Sequence, residues 1–90
     1  MDRMLVINES AVYAELDDEA VLLNVDTGIY FGINAIGTEI WNALGRGDSE
    51  SAIVDHLAEE YDVEPGQLRT DVAEFLSALE TRGLIRVVEK

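Results

Sequence analysis

Residues 29–44, IYFGINAIGTEIWNAL, carry a strand pattern followed at once by a helix pattern. The first five residues are mostly apolar, β-branched or aromatic, and they follow the turn-forming sequence Asp26-Thr27-Gly28, which predicts the second strand of a hairpin. Asn34 is a favourable helix N-cap. Apolar side chains then repeat at helical spacing, at Ile36, Ile40 and Leu44, with Trp41 beside them as an expected core residue. We therefore expect a strand up to Ile33 and a helix through Leu44.

The residues before this stretch predict the rest of a small sheet. Residues 11–16 alternate in character, as a half-buried strand does. The acidic turn Asp17 to Glu19 separates them from an apolar run over residues 20–25, which is expected to pair with residues 29–33. Residues 5–7 are a candidate for one further short strand. Three or four antiparallel strands need a helical layer on one face.

Two more helices are predicted. Asp48 or Ser49 caps the second helix, which closes near Asp62. Pro65 opens the third, and Gly83 suits the left-handed position after its end. The apolar residues of the third helix repeat at helical spacing: Leu68, Val72, Phe75, Leu76 and Leu79.

A closing strand is expected over residues 84–88. The predicted order β-β-β-α-α-α-β describes one α+β domain of winged-helix type over residues 1–90. Nearly half of the 90 residues are hydrophobic (48%), so the chain can bury a core despite a formal net charge of −13.

Composition excludes several function classes. Nineteen Asp and Glu stand against six Lys and Arg, so the long-range field repels nucleic acids and anionic membranes. Cysteine is absent, and a zinc site would depend on the single histidine, His56, with carboxylates. The short apolar run within residues 1–7 is too short for a signal peptide or a membrane span, and the cytoplasm is the expected location.

No catalytic residue, cofactor or metal is expected. His56 has no nucleophile assigned near it and is expected to face solvent, as are the acidic clusters around Asp17 and Glu60. The glycines lack the spacing of a nucleotide-binding loop, and we expect them at hairpin, edge and cap positions: Gly28, Gly32, Gly37 and Gly45.

Two segments resemble PqqD-like proteins, in particular those encoded with lasso peptides. Residues 29–44 resemble the strand-to-helix segment of that family, although Ile33 stands where the family usually has Leu. Residues 71–84 are similar to its third helix and Gly-Leu exit, in the pattern Asp71-Val72-x-x-Phe75-Leu76-x-x-Leu79-x-x-x-Gly83-Leu84. The resemblance implies a non-catalytic element that binds the leader of a ribosomally made precursor peptide. It also implies, as partners, a leader peptidase that is a cysteine protease, followed by a cyclase.

The residues themselves agree with that implication. An edge strand over residues 29–33 leaves backbone groups unpaired, and a peptide can complete them as a new strand beside the third helix. The expected peptide contacts are Ile29, Tyr30, Phe31, Gly32, Ile33, Arg69, Asp71, Val72, Phe75, Leu76 and Leu79. A winged-helix DNA-binding regulator is the alternative, but the third helix offers Arg69 and Arg82 against Asp71, Glu74 and Glu80. A purely oligomerising module is a further alternative, in which a second copy fills the sheet edge.

Overall fold

The computed structural model describes residues 3–17 and 19–89, which form five strands and three helices. The elements, in chain order, are β1 (Arg3–Ile7), β2 (Ala11–Leu16), β3 (Glu19–Asn24), β4 (Ile29–Ile33), α1 (Ala35–Gly45), α2 (Glu50–Glu60), α3 (Pro65–Thr81) and β5 (Ile85–Glu89). The predicted α+β class, with three helices and small antiparallel sheets, is confirmed.

The strands form two separate antiparallel sheets. One has the order β2-β3-β4, and the other pairs β1 with β5. The candidate strand at residues 5–7 is therefore real, but it joins the closing strand and not the hairpin sheet, with Ile7 opposite Ile85. Of the predicted acidic turn, Asp17 adopts a left-handed φ of 56° and Glu19 begins β3, while Asp18 lies outside the described residues.

Asn24, at the end of β3, ties the hairpin to the end of α3. Its side-chain oxygen accepts the N–H of Asp26 at 2.9 Å, which shapes the hairpin turn. Its side-chain N–H group donates to the carbonyl oxygens of Arg82 at 3.0 Å and Gly83 at 3.2 Å. The residue is only 4% exposed, and a buried amide needs such partners to offset the loss of hydration. This bond network holds the β3–β4 hairpin against the C-terminal end of α3.

The predicted helix caps are confirmed. The side chain of Asn34 accepts the N–H of Gly37 at 2.8 Å, and that of Ser49 accepts the N–H of Ala52 at 3.1 Å. Pro65 is the first residue of α3. Gly83 follows that helix with a φ of 71°, in the left-handed region that favours glycine. Residues close to each boundary thus determine the starts of all three helices and the end of α3.

One hydrophobic core joins the helices to both sheets. Burial of a large aliphatic side chain contributes about 1.5–3 kcal/mol, so this cluster is the main source of stability. Trp41 belongs to it, as expected, whereas His56 is exposed on α2. Among the described residues, no helix is long and apolar enough to cross a membrane. The buried hydrophobic residues are Leu5, Ala20, Leu22, Ile33, Ile40, Trp41, Ala43, Leu44, Ile53, Val54, Leu57, Leu68, Val72, Leu76, Leu79, Leu84 and Ile85.

Candidate functional site

The free edge of β4 is the first element of the candidate site. β4 pairs with β3 along one side only, from Asn24 opposite Ile29 to Ala20 opposite Ile33. Within the described part of the chain, no strand pairs with its other side. In an antiparallel edge strand, alternate residues direct N–H and C=O groups away from the neighbouring strand. The prediction of an edge strand over residues 29–33 is therefore confirmed.

The two faces of β4 have different surroundings. Ile33 is buried and Phe31 is half-buried, because both lie on the side of the sheet that covers the core. Tyr30 points to the opposite side and is 71% exposed. Gly32 lies on that same outer side, and nothing occupies the space that a Cβ would take there. A strand placed beside β4 would therefore turn one set of alternate side chains toward the helices and the other set toward solvent.

α3 forms a wall beside this edge through an aromatic pair. The rings of Phe31 in β4 and Phe75 in α3 are stacked, with centroids 5.8 Å apart and an angle of 30° between the planes. Phe75 is half-buried, so part of its ring remains accessible. We call the space between the free edge of β4 and the Phe75 side of α3 the β4–α3 groove.

Gly37 in the first turn of α1 closes one end of the groove. A Cβ at this position would lie 3.1 Å from Cβ of Ile33 and 3.2 Å from Cζ of Phe75. These distances are tighter than ordinary van der Waals contacts, so a side chain at residue 37 would require Ile33 or Phe75 to move by a few tenths of an ångström. The expected hairpin, edge or cap role does not describe Gly37, since its role is helix packing. Sequence reasoning missed this, because no local pattern marks a packing glycine.

A cavity of ≈ 300 Å³ continues the groove between α1 and α3. It is mainly apolar, with the carboxylate of Asp71 and the side chain of Asn34 as polar groups. Asp71 also accepts a hydrogen bond from Gln67 at 2.9 Å. We call it the α1–α3 cavity, and its lining residues are Asn34, Ile36, Gly37, Ile40, Val63, Leu68, Asp71, Val72 and Phe75. An apolar cavity with a few polar groups at its wall is typical of a binding site for one or two apolar side chains.

Arg82 packs on the ring of Phe31. Its guanidinium carbon is 4.5 Å from the centroid of the Phe31 ring, and its Nη1 donates to the carbonyl oxygen of Ala78 at 3.2 Å. A cation over an aromatic face is held electrostatically. From the sequence alone, Arg82 is assigned only to the DNA-binding alternative and not to this site. A basic residue directly after a helix is a common C-terminal feature, so its position gave no specific signal.

Three predicted contacts of α3 lie in the core. Leu76 and Leu79 are 3% and 0% exposed, and side chains so enclosed offer no surface to a peptide, so we leave both out of the groove. Val72 is 1% exposed and forms part of the floor of the α1–α3 cavity. The rotation of α3 about its axis thus directs Phe75, and not its apolar neighbours, toward the edge of β4.

Arg69 is separated from the groove. It lines a different cavity, which α3 shares with β1 and the start of α2, together with Leu5, Ser49 and Asp55. Residues 69 and 71 are about 200° apart around a helix, so the two side chains leave α3 in nearly opposite directions. Of the two predicted polar contacts, the structure brings only Asp71 to the groove.

A second group of ionisable side chains joins α1 to α2. The hydroxyl of Tyr61 donates to Oε2 of Glu39 at 2.7 Å. A hydrogen bond shared with Glu60, together with that from Tyr61, lowers the pKa of Glu39. The same bond to Glu39 raises the pKa of Glu60. Glu39, His56 and Glu60 have potential metal-binding atoms within 4.8 Å of one another. The exposure of His56 and Glu60 agrees with the solvated positions expected for them.

Sequence comparison identifies one matching family. The profile of coenzyme PQQ synthesis protein D (PqqD) matches residues 19–85, which include β3, β4 and all three helices. A comparison with curated protein sequences finds no match. The matched segment contains both walls of the β4–α3 groove.

Two solved structures are similar to the chain over nearly its whole length. The first is TbiB1 in complex with the TbiA(beta) leader peptide, with 38% identity, a TM-score of 0.84, and coverage of 94% of this chain and 99% of that one. The second is a lasso peptide synthetase B1 complexed with the leader peptide, with 26% identity, a TM-score of 0.83, and coverage of 91% and 96%. Both similarities extend over the sheets and the helices together.

Proposed function

This chain belongs to the PqqD family, and we propose that it binds the leader segment of a ribosomally made precursor peptide as an additional strand on β4. Both similar solved proteins are complexes with a leader peptide, and their similarity covers more than nine-tenths of this chain. The proposal places the leader in the β4–α3 groove and assigns this chain to lasso peptide biosynthesis.

The observation that carries the proposal is the free edge of β4 beside the accessible ring of Phe75. Backbone pairing with β4 would supply affinity that depends little on sequence. Apolar side chains on the inner face of the added strand would contact Phe75 and enter the α1–α3 cavity. Sequence choice would therefore come from the cavity, and the proposed contacts are Ile29, Tyr30, Phe31, Gly32, Ile33, Asp71 and Phe75.

We infer that the domain recognises the leader and leaves the chemistry to other proteins. The single histidine, His56, is grouped with two carboxylates, those of Glu39 and Glu60, and the sequence has no cysteine to serve as a nucleophile. The partners that we propose are a leader peptidase of the cysteine protease class and a cyclase. In this scheme, residues 1–90 act as a single recognition domain.

A DNA-binding role is not supported. The similar structures are peptide complexes, and the formal net charge of −13 opposes binding to a phosphate backbone. A helix that reads a DNA groove also needs an excess of basic residues on its exposed face, whereas α3 presents three acidic residues there, Asp71, Glu74 and Glu80, against one basic residue, Arg69.

The decisive experiment is calorimetry with the cognate leader alone, the core segment of the precursor being removed. We expect a 1:1 complex with a dissociation constant in the micromolar range or below, about −8 kcal/mol or better. Hydrogen exchange of the same complex should show added protection in residues 29–33. Binding that requires the core segment, or unchanged exchange in β4, would contradict leader capture by strand addition.

The oligomerising alternative is tested in the same samples. If a second copy of the chain fills the edge of β4, sedimentation should show a dimer without peptide, and the leader should dissociate it. A monomer that binds one leader supports the proposed function.

A further inference from the structure

Within residues 3–17 and 19–89, Arg82 forms no ion pair although the protein is acidic. The chain has nineteen Asp and Glu, and an ion pair in the described part of the chain joins Arg46 and Asp48 instead. Arg82 makes two contacts, with the Phe31 ring and with the carbonyl of Ala78. That carbonyl uses one of the five N–H donors of a guanidinium group. Most of the hydrogen-bonding capacity of Arg82 is therefore available.

The guanidinium of Arg82 is held beside β4. The ring beneath the guanidinium belongs to Phe31, the central residue of β4. A strand added to the free edge of β4 would lie about 4.8 Å from it, and its inner-face residue opposite Phe31 would be the cross-strand neighbour of that side chain. This residue would therefore lie beside the ring on which the Arg82 guanidinium is stacked, with its carbon 4.5 Å from the ring centroid. The stack on Phe31 and the bond to Ala78 hold the guanidinium there before any peptide binds.

We propose that Arg82 is a specificity-determining residue that selects an Asp or Glu on the added strand. This inference rests on the proposed function, because it requires a peptide on the edge of β4. Guanidinium and carboxylate groups match in a planar, two-bond geometry, and such charge-assisted bonds are stronger than neutral ones. The selected acidic residue lies on the inner face of the added strand, near Phe31.

Asp71 gives the groove a second charge of opposite sign. It lies eleven positions before Arg82, whose guanidinium reaches back along α3 to the carbonyl oxygen of Ala78. Residues on one face of a strand are an even number of positions apart, so the matching charges on the inner face of the peptide are separated by an even number of positions. Asp71 lies at the cavity that Asn34 and Ile36 also line, beyond the end of β4. An antiparallel peptide therefore carries its basic residue first and its acidic residue second.

The experiment is a selection that does not require the natural leader. A displayed library of random peptides of about 20 residues is selected for binding to the wild-type chain and, separately, to Arg82→Gln and Arg82→Glu. Thermal midpoints of the three proteins establish that each is folded. Arg82→Lys provides a further control, because it keeps the charge but loses the planar fork.

The expected result is a preference for Asp or Glu at one position, at a fixed distance from the apolar residues of the selected peptides. The preference should disappear with Arg82→Gln and change to Lys or Arg with Arg82→Glu. Replacing that acidic residue by its amide should weaken binding to the wild type about tenfold and leave binding to Arg82→Gln nearly unchanged. Arg82→Lys should retain only part of the preference.

The outcomes separate this inference from the proposed function. Selected peptides that protect residues 29–33 from hydrogen exchange, but show no acidic preference, overturn the role of Arg82 and leave strand addition intact. Peptides that bind without protecting β4 overturn the proposed function, and the inference fails with it. A uniform loss of affinity in Arg82→Gln, with an unchanged preference, shows that Arg82 only supports the fold.

Discussion

Gly37 and Phe75 are so close that a Cβ on residue 37 would lie 3.2 Å from the tip of the Phe75 ring. The contact links the start of α1 to the aromatic wall of the β4–α3 groove. The shape of the groove therefore depends on a residue that has no side chain of its own to offer a peptide.

Gly37→Ala should destabilise the protein by about 1–3 kcal/mol, because the ring of Phe75 or Cβ of Ile33 must move to make room. The matched control is Gly66→Ala in the first turn of α3, where nothing lies within 4 Å of the added Cβ. That control should be neutral or stabilising by up to about 1 kcal/mol. Chemical denaturation measures both, and equal effects in the two variants would refute the packing role.

Phe75→Ala should lower leader affinity by about 1–3 kcal/mol, as for a partly exposed interface anchor. Leu79→Ala is the core counterpart and should lower the free energy of unfolding by about 2–5 kcal/mol. At a temperature where both variants are folded, the Leu79 variant should bind the leader nearly as well as the wild type. If affinity falls in proportion to stability in both, α3 is only scaffold.

Proline substitution in β4 tests whether the peptide pairs with the backbone. Adjacent residues of a strand direct their N–H groups in opposite directions, so Tyr30→Pro and Phe31→Pro remove donors on different sides. The variant that loses the N–H facing β3 should unfold at a lower temperature. The other should keep more of its stability but lose most of its affinity for the leader. Two variants with unchanged affinity would exclude pairing along this edge.

Charge reversal at Asp71 should weaken binding of a leader with a basic residue at the cavity, and more at low salt than at high salt, since salt screens the interaction. Asp55→Lys changes the net charge equally but lies at the other cavity with Arg69. Calorimetry at two ionic strengths should show a salt-dependent loss for Asp71→Lys that exceeds the loss for Asp55→Lys. Equal losses would indicate a general effect of net charge.

The pair of Glu39 and Glu60 predicts a pH effect on stability. Because the pKa of Glu60 is raised in the folded protein, Glu60 stabilises the fold at pH values below its ordinary pKa of 4.5. This stabilisation is lost as pH rises through the raised pKa. Because the pKa of Glu39 is lowered, Glu39 stabilises the fold at pH values above its ordinary pKa of 4.5. This stabilisation is lost as pH falls through the lowered pKa. Glu60→Gln keeps a hydrogen-bond donor for the carboxylate of Glu39 and removes the titration of residue 60. Relative to this variant, the thermal midpoint of the wild type should decline as pH rises from 4.5 through the raised pKa of Glu60. Glu59→Gln is the control on the same helix and should follow the wild type.

The features that neighbouring residues determine, such as the ends of the helices, could be predicted from the sequence. Side-chain caps at Asn34 and Ser49, and the exit at Gly83, depend on neighbouring residues and are confirmed. The pairing of β1 with β5 joins residues about eighty positions apart, and three apolar residues could not reveal it.

The candidate site was predicted less completely than the fold. Phe75 could not be ranked above Leu76 and Leu79 from sequence, because all three are apolar and only the rotation of α3 about its axis distinguishes them. Arg69 is predicted with Asp71 as a polar contact of the peptide, but it lines the cavity beside Leu5 and Ser49 instead. The contact of Arg82 with Phe31 depends on how α3 ends against the hairpin, which follows from the buried side chain of Asn24.

Because Arg3 pairs with Glu89, the first residue of β1 and the last residue of β5 lie side by side. Residues 3 and 89 could be joined by a short linker, and the chain reopened at the exposed turn near Gly47, without a change in the order of elements around the β4–α3 groove. A second protein fused at either of these neighbouring positions would approach the domain from one direction, beside β1 and β5. Leader binding in the β4–α3 groove and attachment of another protein beside β1 and β5 would then use separate parts of the domain surface.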